Sequence, residues 1–227
     1  MKNFKILSKI GLGLAGLTLA ASVSAGMITE YSGDGNDVLV STSTGSGAIT
    51  QIAPHNVWGD VSDNAGLANN TAKWISYANT GSGGIVAPNT ADRNDNAEAT
   101  AHFQRTFTIG GSGDFNIWLL TDDTATVELS GPGGFVDEIW NSFDGQEDPC
   151  APGQTGVPVG CAEKDMGIDS YTGLMSGMYT LDVYAFQTNN SVFGSQYAIQ
   201  YSVPEPGTLA LLGLGLMGLA ASRRRKL

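Results

Sequence analysis

The feature that most constrains this chain is a two-residue hydrophobic period that recurs between Ala101 and Val203. In Ala101-His102-Phe103-Gln104-Arg105-Thr106-Phe107-Thr108-Ile109, Phe103, Phe107 and Ile109 share one face, with Arg105 beside them. Successive side chains of a strand point to opposite faces, so this stretch suits a half-buried strand and not an amphipathic helix. The same alternation returns at Gly177–Phe186 and Gln196–Val203, and Phe115–Leu120, Ala125–Ser130 and Phe135–Trp140 read as further strands. Gly110–Asp114, Asp122-Asp123 and Gly131–Gly134 supply turn residues between them, and Gly194-Ser195 precedes the last strand. Upstream, Val38–Val40 and Ala48–Ile52 read as short strands around a Gly-Ser turn. Val57-Trp58 and Lys73–Tyr77 bracket a polar loop, and no regular element is expected in 79–96. Many short strands with turn-rich joints and no amphipathic helix predict an all-β chain. The expected architecture is an antiparallel β-sandwich, jelly-roll-like or Greek-key in its connections.

Both ends of the chain read differently. Lys2, Lys5 and Lys9 precede an apolar segment from Ile10 to Ala21 and then Ser22-Val23-Ser24-Ala25. A basic start, a short apolar core and small residues form a secretory signal peptide. Cleavage by signal peptidase is expected after Ala25, with Val23 and Ala25 as the residues it reads. The other end runs Val203-Pro204-Glu205-Pro206-Gly207, an apolar run from Thr208 to Ala221, Ser222, and then Arg223-Arg224-Arg225-Lys226. As a helix, that run and its flanks would span roughly 22 Å, short of the ~30 Å hydrocarbon core. Gly213, Gly215 and Gly218 weaken it further. The basic cluster would hold the C-terminus in the cytoplasm, and Pro204 and Pro206 keep Glu205 in an extended segment outside the membrane.

A short polar motif, an apolar segment and a basic stop, in that order, resemble the PEP-CTERM sorting signal of Gram-negative bacteria. The resemblance implies that an exosortase, a membrane-embedded transpeptidase-like enzyme, processes the chain near Pro204-Glu205-Pro206. A plain C-terminal membrane anchor with a proline-containing linker is the alternative. The chain thus divides into a signal peptide at 1–25 with its helix, a β-sandwich ectodomain at 26–202, and a sorting segment at 203–227 with a short transmembrane helix. The expected route is an inner-membrane-anchored precursor, then the cell surface or extracellular matrix.

Between the two ends, Lys73, Arg93, Arg105 and Lys164 face 21 of the 22 acidic residues, a net charge of −17 against −11 for the full chain. So acidic a domain repels nucleic acid and anionic lipid. Cys150 and Cys161 flank a loop of turn residues. In an oxidising envelope they are expected to form one disulfide, stabilising the fold by roughly 2–3 kcal/mol.

The layout of Trp58, Lys73–Ser76, Phe103–Phe107, the Asp-Asp turn and Val127–Gly131 is similar to galactose-binding-like jelly rolls of exported bacterial proteins. Leu174–Val183 looks like the last hairpin of bacterial pre-peptidase C-terminal domains. Leu119-Leu120-Thr121-Asp122-Asp123 before Val127-Glu128-Leu129 is similar to the motif of protective-antigen-type sugar-binding domains. That resemblance implies calcium on Asp122 and Asp123, with sugar hydroxyls on the calcium. The same pair also suits a hairpin turn capped by two carboxylates.

Other candidates are weaker. Ser32–Val40 nearly reproduces one calcium-binding nonapeptide, in a single copy, and equally suits an acidic Gly-rich turn entering a strand. Asp92–Glu98 departs from an EF-hand loop at Ala97 and Phe103. Trp58, Trp74, Trp118 and Trp140 could stack on sugar rings or fill the core; Trp74 is expected in the core, and Trp58 stays open between the two. No Gly-x-Ser-x-Gly, His-Glu-x-x-His or phosphate loop is present, and His55 and His102 lack a partner motif. No catalytic residue is expected. The sequence favours a non-enzymatic, exopolysaccharide-binding protein, with calcium as its one candidate cofactor. A structural surface protein and a secreted hydrolase are the alternatives.

Overall fold

The computed structural model describes residues 26–45, 47–90, 92, 95–111, 113–142, 159–203 and 215. The expected signal helix, sorting motif, basic stop and Cys150 lie outside them. So does all but Gly215 of the expected C-terminal helix. Among the described residues no helix is long and apolar enough to cross a membrane.

Among the described residues, eleven strands form two antiparallel sheets. They are β1 (Gly26–Tyr31), β2 (Val38–Thr42), β3 (Thr50–Gln51), β4 (Ile75–Ser76), β5 (Ala101–Ile109), β6 (Gly113–Asp122), β7 (Thr124–Gly131), β8 (Phe135–Trp140), β9 (Gly167–Leu174), β10 (Gly177–Phe186) and β11 (Gly194–Val203). One sheet runs β3-β4-β11-β6-β9, with β1 also paired to β11; the other runs β2-β5-β10-β7-β8. From β5 onward the chain changes sheet at every connection except the β7–β8 hairpin. This is the expected sandwich.

The alternation sets the core. Phe103, Phe107, Val127, Leu129, Leu181 and Val183 from one sheet meet Phe115, Ile117, Leu119, Tyr197, Ile199 and Tyr201 from the other. Burying each such side chain contributes about 1.5–3 kcal/mol. Phe107 stacks on Phe115 across the gap, with ring centroids 5.2 Å apart.

Three features differ from the sequence expectation. β1 and β9 were not foreseen, because both are half-exposed strands whose residues do not alternate cleanly. The polar stretch after Trp58 is a loop, as expected, but it does not stand free in solvent. It folds over the outer face of the first sheet, where Trp58, Val61, Ala65 and Trp74 build a second small core on Leu120 and Ala198. Gln196 pins it there, accepting from the Val61 N–H at 3.0 Å and donating to Asp60 Oδ1 at 3.1 Å and the Ala72 carbonyl at 2.9 Å. Finally, Asp122-Asp123 is not a hairpin turn. Asp122 ends β6 in one sheet and Thr124 opens β7 in the other, so the pair forms a corner between sheets.

The register also orients the domain. Gly26 pairs with Val203, the Gly110 N–H donates to the Ser202 carbonyl at 2.9 Å, and Gly177 pairs with Ile109. The chain therefore enters and leaves at the end carrying the 110–113, 132–134 and 175–176 turns. Asp122, paired with Gly194, stands at the opposite end.

Candidate functional site

At that opposite end, Asp122 and Asp123 are both buried, 3% and 0% exposed, and the peptide bond between them is cis. Trp58 Nε1 donates to Asp122 Oδ2 at 2.8 Å. Asp123 Oδ2 accepts from the Thr188 N–H at 2.8 Å and from Thr188 Oγ1 at 2.7 Å, while the Asp123 N–H donates to the Phe186 carbonyl at 3.1 Å. Asp123 Oδ1 and its neighbour Thr124 Oγ1 are buried without a hydrogen-bond partner among the described residues. A buried carboxylate oxygen left unpaired is costly unless a cation or a proton meets it.

The donor set fits calcium only in part. Among the described residues no group of three His, Cys, Asp or Glu side chains converges to hold a metal. Calcium takes 6–8 oxygens. Asp122 and Asp123 would supply the charge, and backbone carbonyls, water and ligand hydroxyls would have to supply the remainder.

Trp58 belongs to this corner as a support. It stacks on Trp74, ring centroids 4.1 Å apart, and Trp74 Nε1 donates to the Gly59 carbonyl at 3.1 Å. Both indoles are buried, so neither offers a face to a sugar ring. Trp118 and Trp140 are partly exposed, Trp118 on the face opposite Ile117 and Leu119.

The Ser32–Val40 segment does something the sequence did not show. Its carboxylates close on Arg105, which is 1% exposed. Arg105 Nη1 and Nη2 donate to Asp34 at 2.8 and 2.5 Å, Nη1 also reaches Asp37 at 3.1 Å, and Nε donates to Glu30 at 2.9 Å. Tyr201 Oη donates to Glu30 at 2.7 Å, and Tyr197 Oη donates to Asp37. Burial pushes Asp34 up, but its bonds from Arg105 and the Asn36 N–H outweigh this and hold the carboxyl below its ordinary value. Burial likewise opposes the charge of Arg105, yet its carboxylates raise its pKa beyond the already high guanidinium range. The acidic loop is thus the counter-ion of a buried arginine, which is the physical reason a calcium-loop reading does not hold there. A cleft of about 240 Å³ lies above it, lined by Gly33, Gly35, Asp37, Ile49 and Gln51.

The outer face of the second sheet carries a polar row. Glu138, Glu128, Asp182 and Gln104 lie directly opposite one another on β8, β7, β10 and β5. His102 Nε2 meets Asp182 Oδ1 at 2.7 Å, Gln104 Nε2 donates to the same oxygen at 2.9 Å, and His102 stacks on Tyr184 at 4.1 Å. Burial raises the Glu128 pKa, and Asp182 and Glu138 raise it further against the bond from Asn96. Asp182 is pushed up by burial but held down overall by His102 and Gln104. His102 therefore has a partner 80 residues away. The cross-strand register alone connects them.

Cys161 is buried, and its expected partner Cys150 lies outside the described residues.

Fold and sequence together define an all-β, two-sheet domain followed by a sorting motif. The chain carries a PEP-CTERM protein-sorting motif over residues 202–226. That motif implies processing by exosortase and marks an exported precursor that transits the membrane of a Gram-negative bacterium. No curated protein matches the chain. Among solved structures, the family 35 carbohydrate-binding module from Clostridium thermocellum is 10% identical with a TM-score of 0.33, covering 78% of this chain and 98% of that one. An exo-β-1,3-galactanase from Phanerochaete chrysosporium is 12% identical with a TM-score of 0.31, covering 79% of this chain and 30% of that one. Likenesses this distant say nothing of what this chain binds, and the fold rests on the strand pairing above.

Proposed function

We propose that this is a non-enzymatic surface or extracellular-matrix protein whose sandwich binds exopolysaccharide through calcium held at Asp122 and Asp123. The observation that carries the reading is the Asp123 carboxylate, fully buried with Oδ1 unpartnered, at the end of the sandwich farthest from the sorting segment. In this reading signal peptidase cuts after Ala25, exosortase acts at Pro204-Glu205-Pro206, and Cys150 pairs with Cys161. The cation would neutralise the buried charge and offer its open positions to sugar hydroxyls, whose oxygens are hard ligands of the kind calcium takes.

The test is binding of the full chain, in detergent, to the host's own exopolysaccharide in calcium and in chelator. Saturable binding lost in chelator and lost in Asp123→Asn supports the reading. Binding indifferent to chelator removes calcium from it. Absence of binding in both buffers leaves the second reading, a structural surface protein without a small ligand. That alternative is favoured by one observation: Trp58 and Trp74 are buried against each other and present no sugar platform.

A further inference from the structure

The two ends of the sandwich differ in charge, while both expose apolar side chains, Val57, Ile85 and Val86 at the Asp122 end. At the end where Val203 leaves, Met178 and Val136 are each 68% exposed, Met175 56% and Met27 47%. By register they flank the same end, Met178 and Val136 on the outer face of the second sheet and Met27 on the outer face of the first. Met178 pairs with Thr108, one residue from Ile109; Val136 pairs with Ser130 beside the 132–134 turn; and Met27 pairs with Ser202. Met175 touches that turn, since a Cβ on Gly133 would fall 2.9 Å from Met175 Cε. Three exposed methionines and one valine around a charge-poor end of so acidic a domain mark an interaction surface.

Charge is sparse at this end. Among the described residues only the carboxylates of Asp114 and Asp137 stand there, and Asp137 accepts a 2.7 Å bond from Tyr171. Asp60, Asp63, Asp95, Glu98, Glu163 and Asp165 all belong to loops away from it. The described Lys73, Arg105 and Lys164 are elsewhere too.

Chain length supplies the occupant. The apolar run begins at Thr208, five residues beyond Val203. Five residues reach at most about 18 Å when fully extended. With the run inserted, the bilayer's apolar boundary must lie within that distance of Val203, and the surface nearest to it is this end. Packed sheets are only ~10 Å apart, so this end of the second sheet, with Met178 and Val136 on its outward face, can meet the same boundary as Val203.

We propose that this end of the sandwich is a membrane-facing surface. Met27, Val136, Met175 and Met178 rest in the headgroup region of the bilayer while the sorting segment is inserted, and Asp122-Asp123 is held outward. Apolar side chains gain by leaving water at the interface. The acidic loops are kept at the far end, where like-charged lipid repels them least. The inference rests on the sorting reading, because the inserted run creates the contact.

The test uses the full chain reconstituted in phosphatidylcholine vesicles. An environment-sensitive fluorophore is placed on a single added thiol at Met178→Cys, Val136→Cys or, as the far-end control, Ile85→Cys, which is 59% exposed. All three positions are at the surface, so labelling leaves the core untouched. The expected result is a blue-shifted emission quenched by lipid-borne quenchers at 178 and 136, and a water-like spectrum at 85. Chains that float with vesicles but show water-like spectra at 178 and 136 would overturn the proposal while leaving the sorting reading intact. Chains that fail to float would overturn both. Quenching that requires added exosortase would assign the surface to the enzyme and overturn the lipid contact. In an independent variant, Val136→Asp with Met178→Asp keeps the sorting segment but should abolish the shift of a label at Met175→Cys.

Discussion

Arg105 and Asp34 meet through two parallel hydrogen bonds, Nη1 to Oδ1 at 2.8 Å and Nη2 to Oδ2 at 2.5 Å, across 71 residues of sequence. The planar guanidinium fork matches a carboxylate in this way and a lysine ammonium cannot. The pair ties the loop after β1 to the middle of β5, beneath two tyrosines that hold the other carboxylates.

Removing that cation should be among the most damaging single changes. Arg105→Met leaves Glu30, Asp34 and Asp37 facing one another in a poorly solvated site, and breaking such a pair costs about 3–5 kcal/mol. Arg105→Lys should lie between wild type and Met. Urea denaturation of the three proteins checks the order.

Acid should release the same contact. The folded Asp34 pKa is depressed, so its stabilisation is complete above the ordinary aspartate value and is lost as pH falls through the folded value. Asp34→Asn should therefore be less stable than wild type at neutral pH, with the gap closing in acid. Denaturation midpoints measured from pH 7 downward would show it. A constant gap would mean that charge is not the cause.

Glu128 should behave in the opposite sense. Its folded pKa is raised by burial and by Asp182 and Glu138, so the ionised form destabilises the fold as pH rises past the unfolded value. Like charges opposed across a sheet cost roughly 0.2–1 kcal/mol. Glu128→Gln should stabilise at neutral pH by about that amount and make no difference in acid. Its amide oxygen can still accept the bond from Asn96.

Trp58→Phe tests the corner. The ring can still stack on Trp74, but the N–H donated to Asp122 is lost. Loss of a hydrogen bond to a charged, buried group costs about 1.5–3 kcal/mol. The expected result is a lower melting temperature in chelator, and calcium titration of the variant would report whether Asp122 and Trp58 share a binding role.

Gly131→Ala should fail for steric reasons. A Cβ there would fall 2.3 Å from Cε1 of the buried Tyr179 ring. Overpacking of this kind costs about 1–3 kcal/mol, and the near-ultraviolet tyrosine signal should change with stability.

How much of this the sequence disclosed depends on range. β5, β7, β8 and β10 follow from period-two patterns contained within each segment, and so does the placement of Phe103 and Leu181 inside. β9 escaped because Asp169, Ser170 and Thr172 break the alternation on a partly exposed edge strand. Trp58 could not be assigned, since its cover is made by Asp122 and Trp74, distant in sequence. Asp122-Asp123 was visible as a pair of carboxylates. That it forms a corner between sheets depends on which sheet β7 joins, and nothing local encodes this. Arg105 was placed on the core face, but its carboxylate partners come from β1 and the loop after it, 68–75 residues away. The sorting motif was legible in full because its signal is contiguous.

The pairing of β1 and β6 with β11 also sets a schedule. The strand that joins them, Gly194–Val203, runs into the start of the sorting motif. The six-stranded sheet therefore cannot be complete until Gly194–Val203 is available to pair, so the sheet closes last at the strand that leads into the sorting motif.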